Sequence, residues 1–476
     1  MKTNIISPYD GKVIGEVKEF TNDEVEEAIN NAQYEFNDGE WSRYSSDERA
    51  QILFSIANSI EKNSLELATI ESNNNGKVIK ETIGEMKSIV DTFRYYGGMS
   101  NKISGETLPL DNKKFIYTQR KPLGVIAMIT PWNSPLLMMA WKIAPALAAG
   151  NTVVLKPSEY TPLSSIKLQQ LCLESGLPNG VLNIVTGQGN TVGNYLVSSD
   201  KIAKVSFTGS IIVGKKIASI CGNNLKPISM ELGGKAPNII FEDCNLDNAV
   251  RAAVKAAFGG QGHSCSAGSR IFVQKSIENE FIEKFIKLTK KIKIGDPLNM
   301  ETEYGPISNT MQLEKVVKLV EVGLKEGATL AYGGKRIEDP AYRNGLFFYP
   351  TIFTNVDSNM TIAQEEIFGP VVSILAFDDE SQLIKDANSV KYGLSGAIWT
   401  KDINRALRLN EKLEMGTLWI NCYKQISCKA PYGGMKSSGY GRENGKMAVD
   451  EFCQTKTVVI DYSDQVSIWY EGEKEE

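Results

Sequence analysis

The 476 residues include a single histidine, His263, and no Cys-x-x-Cys pair. Zinc, haem and metalloprotease motifs draw on those side chains, so no metal site is expected. A membrane helix needs about 20 consecutive apolar residues. The most apolar stretch, 136–149, is interrupted by Lys142 and Pro145, so no membrane span is predicted. Residues 1–10 lack the apolar core of a signal peptide. The seven cysteines (172, 221, 244, 265, 422, 428 and 453) are odd in number and show no paired spacing, and a cytoplasmic chain without disulfides is expected. Basic tracts are absent too. Lys plus Arg number 52 against 57 Asp plus Glu, a net charge of −5, which disfavours nucleic acid as a partner.

Composition is otherwise that of a folded protein, with 42% hydrophobic and 23% charged residues. The length is about three times the usual domain of roughly 150 residues, so more than one substructure is expected. In the first hundred residues the pattern is helical. Val25, Ala28, Ile29, Ala32 and Phe36 share one helical face, and Ser45 to Glu48 form a capping box before Ile52, Leu53, Ile56 and Ile60. From Gly124 strands alternate with helices: strands 125–129, 152–156, 181–185 and 203–208, with helices near 136–149 and 162–175. This is the rhythm of a parallel, doubly wound α/β sheet. A second series, with strands near 237–241, 269–274, 371–377, 396–400 and 416–420 and helices over 277–291 and 311–325, predicts a second α/β domain. Segments 113–121 and 455–461 fit neither series and are expected to pair as an added sheet or between subunits. Residues 463–476 read as an acidic, loosely attached tail.

Three glycine patterns compete for a phosphate. Gly187, Gly189 and Gly193 resemble a dinucleotide fingerprint, but no acidic residue ends the next strand. Gly209 to Lys216 fall short of a P-loop, because Lys216 stands where a magnesium-binding hydroxyl belongs. The segment still opens a helix, whose free N–H groups cradle anions. Glu231-Leu232-Gly233-Gly234-Lys235 reads equally as a bare turn after a strand. Lys156 and Glu159 follow strand 152–156, at a carboxyl end where open sheets bind ligands; they read as a ribose grip or as a surface pair. Cys265 lies in a glycine- and serine-rich loop, an open polar setting suited to a nucleophile. His263, two residues before it, is an uncertain base, because a loop fixes neither strand nor helix geometry.

Together these residues carry a resemblance. Thr130-Pro131-Trp132-Asn133, Lys156-Pro157-Ser158-Glu159, Phe207-Thr208-Gly209-Ser210, Glu231 to Lys235, Cys265 with Ala267 to Arg270, Glu365 to Pro370, and Pro431 to Gly434 occur in the order and spacing of the NAD(P)-dependent aldehyde dehydrogenase superfamily. The resemblance covers nearly the whole chain and is nearest to the betaine-aldehyde-dehydrogenase-like group.

The resemblance implies a Rossmann-type cofactor domain (1–103 and 123–233), an α/β catalytic domain (234–436), and a small β oligomerisation arm (104–122 and 453–462). Cys265 would be the nucleophile, with Asn133 and the Cys265 N–H as oxyanion donors and Glu231 as the base that activates water. Lys142 and Glu443 match a proton-relay pair. Lys156, Ser158 and Glu159 would hold the adenine ribose, and Gly209 and Ser210 the pyrophosphate. Glu366 and Phe368 would hold the nicotinamide end, and Thr130, Pro131, Trp132 and Leu232 belong to the same cofactor site. Met138, Trp141, Ser264, Ser266, Ile426 and Tyr432 would line the aldehyde tunnel, with Lys424 at its mouth. NAD is expected over NADP because Glu159 repels a 2′-phosphate. The implied partners are a small aldehyde and further copies of the chain, in a dimer or tetramer. A CoA-acylating semialdehyde dehydrogenase and a catalytically idle scaffold remain as alternatives; Glu231 argues against the first, and intact Cys265, Asn133 and Glu231 against the second. The chain departs from the family pattern at His263, where glutamine is usual, at Ile211 and Ile212, and at the N-terminus, which is expected to lack a leading strand.

Overall fold

A computed structural model describes residues 2–463. The expected acidic tail, apart from Ser463, lies outside the described residues. The first sheet has six strands in the order Gly439–Tyr440, Ile228–Glu231, Ile202–Thr208, Val125–Ile129, Thr152–Lys156 and Leu182–Ile184. All neighbours run parallel except the Gly439–Tyr440 edge. Val125–Ile129 and Thr152–Lys156 are almost wholly buried, as expected of strands covered by helices on both faces. Helices Ser46–Lys62, Ile79–Met99 and Pro135–Ala149 pack on one face. Asn22–Asn37 and Ile211–Asn223 pack on the other. The chain winds outward from Val125–Ile129 to Leu182–Ile184, then returns to place Ile202–Thr208 on the opposite side. That reversal opens a crevice at the carboxyl ends of Val125–Ile129 and Ile202–Thr208, where such sheets take ligands.

The second sheet has seven strands in the order Thr329–Tyr332, Thr351–Thr354, Val371–Phe377, Arg270–Gln274, Pro237–Ile240, Ser395–Trp399 and Thr417–Ile420. Only the Thr329–Tyr332 edge is antiparallel. The chain passes from the first sheet to the second over residues 232–236. Glu231 therefore ends a strand of one sheet, while Cys265 lies in the loop that feeds Arg270–Gln274 of the other. A third sheet joins Cys453–Asp461, Lys114–Pro122 and Thr107–Asp111, all antiparallel. It leaves Leu108, Leu110, Phe115, Val459 and Ile460 exposed.

The N-terminus corrects the reading of the first hundred residues as helical and without a leading strand. Lys2–Ile6 and Val13–Lys18 form an antiparallel hairpin. Its turn is closed by Ser7 N–H donating to Lys12 O (2.8 Å) and turned by Gly11 at φ +73°. Each strand is short and only partly buried, so its alternation is weak against the strong helical period that follows. The short strands Ile228–Glu231, Thr329–Tyr332, Thr351–Thr354 and Gly439–Tyr440 were not anticipated either.

Candidate active site

The Cys265 loop begins where helix Leu246–Phe258 ends. Gly260, Gln261 and Gly262 all take left-handed backbone, at φ +60°, +57° and +71°. A side chain at 262 would put its Cβ 2.3 Å from Gly369 O, so only glycine fits. Gln261 tolerates the conformation at a cost of about 1 kcal/mol; its Nε2 donates to Gly76 O at 3.3 Å. The resulting crank carries residues 263–266 into the gap between the first two sheets.

Cys265 Sγ lies 3.7 Å from Tyr432 Oη. Burial pushes the thiol up to about 11, the Tyr432 hydrogen bond opposes this, and Glu231 and Glu366 add to it. His263 does not pair with Cys265. Its ring packs edge-on to Trp132 (4.8 Å between centroids) and stacks with Phe368 (6.1 Å). Burial, then Lys77, brings the imidazole down to about 3, so it is neutral in ordinary buffers. The main chain of His263 has the sharper role: its carbonyl accepts from Asn133 Nδ2 at 2.9 Å. That bond aims the Asn133 amide along the Cys265 loop and leaves its second N–H without a partner among the described residues. The Cys265 N–H has no partner among the described residues.

Both Glu231 oxygens are buried without a partner among the described residues. Burial holds this carboxyl well above its usual range, Glu443 raises it further, and Lys142 and Arg442 pull the other way. A Cβ at Gly433 would stand 2.7 Å from Arg442 Cδ, 2.8 Å from Glu231 Oε1 and 2.9 Å from Gly441 O, so this position stays bare. Lys142 Nζ binds Glu443 Oε1 at 2.5 Å and Ser206 Oγ at 3.0 Å. The two ionic side chains are 1% and 6% exposed. Glu443 also exchanges both backbone hydrogen bonds with Tyr432, at 2.7 and 2.8 Å, which ties this ion pair to the wall beside the thiol.

In the crevice of the first sheet, the Thr130 and Thr208 hydroxyls are buried and have no partner among the described residues. Ser210 caps helix Ile211–Asn223, accepting from Val213 N–H, and follows Gly209, whose N–H donates to Glu231 O at 3.1 Å. The Lys156 ammonium is buried, contacts Pro157 O at 3.0 Å and approaches Glu159 at 3.5 Å. Burial lowers its pKa and Glu159 opposes the fall. Ser158 and Glu159 line a small cleft with Pro157, Thr186 and Gly187. Pro131 and Trp132 are half-buried, and Leu232 is buried. Glu366 Oε1 accepts from Gly234 N–H at 2.9 Å. Phe368, at φ +56°, meets the edge of Trp132 (5.3 Å).

On the other side of the thiol, Trp141 and Tyr432 pack edge to face at 5.5 Å, with Met138 and Cys265 against them. The Ser264 and Ser266 hydroxyls are 3.2 Å apart. Ile426 is 40% exposed. Lys424 takes left-handed backbone (φ +53°), and its charge acts on Cys265. The helical reading of the first hundred residues missed a group of charges here. Lys77 Nζ binds both Glu85 oxygens (2.7 and 2.9 Å) and Ser134 Oγ (2.7 Å). Glu81 accepts from Gly260 N–H at 3.1 Å. Glu71 is fully buried and driven up to about 8 by burial and then by Glu85. The spacing of 81 and 85 was the available signal for the two glutamates, because residues four apart share a helical face; Lys77 precedes the helix Ile79–Met99 and gave none.

A family model described as "Aldehyde dehydrogenase family" matches residues 1–458. Betaine aldehyde dehydrogenase of Bacillus subtilis (strain 168) is 45% identical over 471 residues, 98% of this chain and 96% of that protein. Human retinal dehydrogenase 2 is 43% identical over 459 residues, 96% of this chain and 88% of that protein. A crystal structure of Staphylococcus aureus betaine aldehyde dehydrogenase in complex with NAD+ superposes with a TM-score of 0.97 at 41% identity, covering 99% of this chain and 94% of that one. Agreement of that extent covers both large sheets and the loop between them, so the chain belongs to the aldehyde dehydrogenase family and is an oxidoreductase acting on aldehydes.

Proposed function

We propose that the protein oxidises an aldehyde to its carboxylate with NAD, by way of a covalent intermediate on Cys265. One observation carries this reading: a thiol, two free N–H donors and an unpartnered carboxylate from separate elements converge on the gap between the sheets. The crevice beside them suits a dinucleotide. It offers orphaned hydroxyls at Thr130 and Thr208 and a helix N-terminus at Ser210 for phosphate. Lys156 and Glu159 would hold the adenine ribose, with Ser158 beside them and Pro131 and Leu232 packing nearby; Glu366, Phe368 and Trp132 would hold the nicotinamide end. The solved relative with NAD+ supports the same choice. When bound, NAD supplies the hydride acceptor.

Cys265 gives its proton to Glu231, which passes it on to the buried Lys142–Glu443 pair, and adds to the aldehyde carbon as thiolate, so that the oxygen gains negative charge. The free N–H of Asn133 and the Cys265 N–H stabilise that oxygen, each such donor being worth about 3 kcal/mol. Loss of hydride from the thiohemiacetal leaves a thioester on Cys265. Glu231, kept basic by burial, takes a proton from water, whose oxygen attacks the thioester carbon and releases the carboxylate and the thiol. Lys142 and Glu443 then carry that proton away through the buried pair. Glu231 is also what favours water over CoA as the acyl acceptor. The reaction runs in the reducing cytoplasm, where the seven thiols stay free. The chain associates with further copies through the third sheet, whose exposed Leu108, Phe115 and Val459 suit an apolar interface; light scattering of the purified protein measures this. The direct test of activity is NADH absorbance on adding NAD and propanal. Wild type turns over, and Cys265→Ala gives no NADH while still binding NAD. Turnover by the alanine variant overturns the assignment.

A further inference from the structure

We infer that the aldehyde this enzyme takes carries an anionic group, a carboxylate, at the end remote from its carbonyl, and that Lys424 and Lys255 receive it. The inference rests on the function proposed above and names its substrate class. Three lysines and two glutamates gather where the Gly259–Gly260 turn leads into the Cys265 loop. A Cβ at Gly259 would lie 3.2 Å from Glu81 Oε1 and 3.9 Å from Lys255 Cγ; one at Gly260 would lie 3.6 Å from Glu81 Oε2 and 3.9 Å from Lys77 Cε. Their charges are unequally engaged. Lys77 is held by both oxygens of Glu85 and by Ser134. Glu81 is fixed by the Gly260 N–H and lies within the field of Lys77 and Lys424. Lys424 and Lys255 make no hydrogen bond or ion pair among the described residues.

Lys424 is aimed, not loose. Tyr423 before it packs on Trp419 and on Ala256, the residue after Lys255, and its hydroxyl closes on Gly268 just beyond Cys265. From that anchor the left-handed turn at Lys424 presents a half-buried side chain, whose pKa burial lowers while Glu81 and Cys265 oppose the fall and favour its charged form. On the same helix as Glu81, Gly84 is exposed and nothing stands within 4 Å of a Cβ built there. Against the thiol itself pack Trp141, Tyr432 and Met138. The thiol is thus flanked by apolar side chains, and where its loop begins the three lysines exceed Glu81 and Glu85 by one positive charge. A carboxylate gains two free ammonium groups there, whereas a trimethylammonium tail meets like charge.

The test compares kcat/KM of the intact enzyme with NAD for 5-oxopentanoate, its methyl ester, pentanal and betaine aldehyde, at low and high salt. The expected result is a preference for 5-oxopentanoate over its ester of about tenfold or more at low salt, shrinking as salt screens the lysines. Lys255→Gln, on an exposed helix position, and Lys424→Gln should each reduce that ratio several-fold, and the double variant should bring it near one. Pentanal monitors the underlying dehydrogenase reading: no NADH from any aldehyde refutes that reading instead. Turnover of pentanal with no carboxylate preference in wild type, a preference for betaine aldehyde, or a ratio that neither variant lowers overturns the inference.

Discussion

Replacing Glu443 exposes what the buried Lys142–Glu443 pair does for both stability and catalysis. The ions are 1% and 6% exposed and 2.5 Å apart, and Lys142 has one other partner, Ser206 Oγ at 3.0 Å. Deleting one member of a buried pair costs about 3–5 kcal/mol, because the other charge stays desolvated. Glu443→Leu should therefore cost about 4 kcal/mol. Glu443→Gln keeps an acceptor for the ammonium, worth about 2 kcal/mol as a charge-assisted hydrogen bond, and should lose about 2 kcal/mol. With a urea m-value of about 3 kcal/mol/M, the midpoint falls by about 1.3 M for leucine and about 0.7 M for glutamine. Lys142→Met with Glu443→Leu removes both charges and should recover most of the loss. Catalysis gives an independent sign. Glu231 is raised first by burial and next by Glu443, and it acts as a base only when deprotonated. Removing the Glu443 charge lets Glu231 ionise at lower pH, so in Glu443→Gln the rise of the hydrolysis rate with pH moves toward acid. Equal midpoints for the glutamine and leucine variants, no recovery in the double variant, or an alkaline shift would refute the reasoning.

Alkylation of Cys265 by iodoacetamide in the cofactor-free protein should accelerate about tenfold per pH unit from pH 7 to 10, since the thiol is pushed up to about 11; mass spectrometry of the Cys265 peptide reads this, and a plateau below pH 8 contradicts it. Glu159→Ser should narrow the gap between NAD and NADP in kcat/KM, because the carboxylate near Lys156 opposes a 2′-phosphate; an unchanged gap assigns cofactor choice to other groups.

Four strands of the first sheet were legible because covered parallel strands are short apolar runs bounded by turns, as in Val125–Ile129 and Thr152–Lys156, whereas Ile228–Glu231 and Gly439–Tyr440 were not. The hairpin at Lys2–Ile6 and Val13–Lys18 was not, since its half-exposed faces mix lysine, asparagine and isoleucine. In the candidate site, motif order singled out Cys265, Glu231 and Asn133, yet periodicity alone has no means of joining residues from three separate elements. Charges hid best. Lys77, Glu81 and Glu71 look like the polar face of helices, and only the folded chain turns them inward beside the Cys265 loop. His263 stayed open in the sequence, an uncertain base for Cys265 because a loop fixes no geometry, and the structure packs its ring against Trp132 and Phe368.

The central claim is a thioester on Cys265 that Glu231 clears. Rapid mixing of Glu231→Gln with NAD and aldehyde, followed by acid quench and intact-protein mass spectrometry, tests it most directly. The account predicts a burst of about one NADH per active site and an acyl adduct mapping to Cys265 that persists far longer than in wild type. Steady turnover at the wild-type rate, or a burst with no adduct on Cys265, contradicts it.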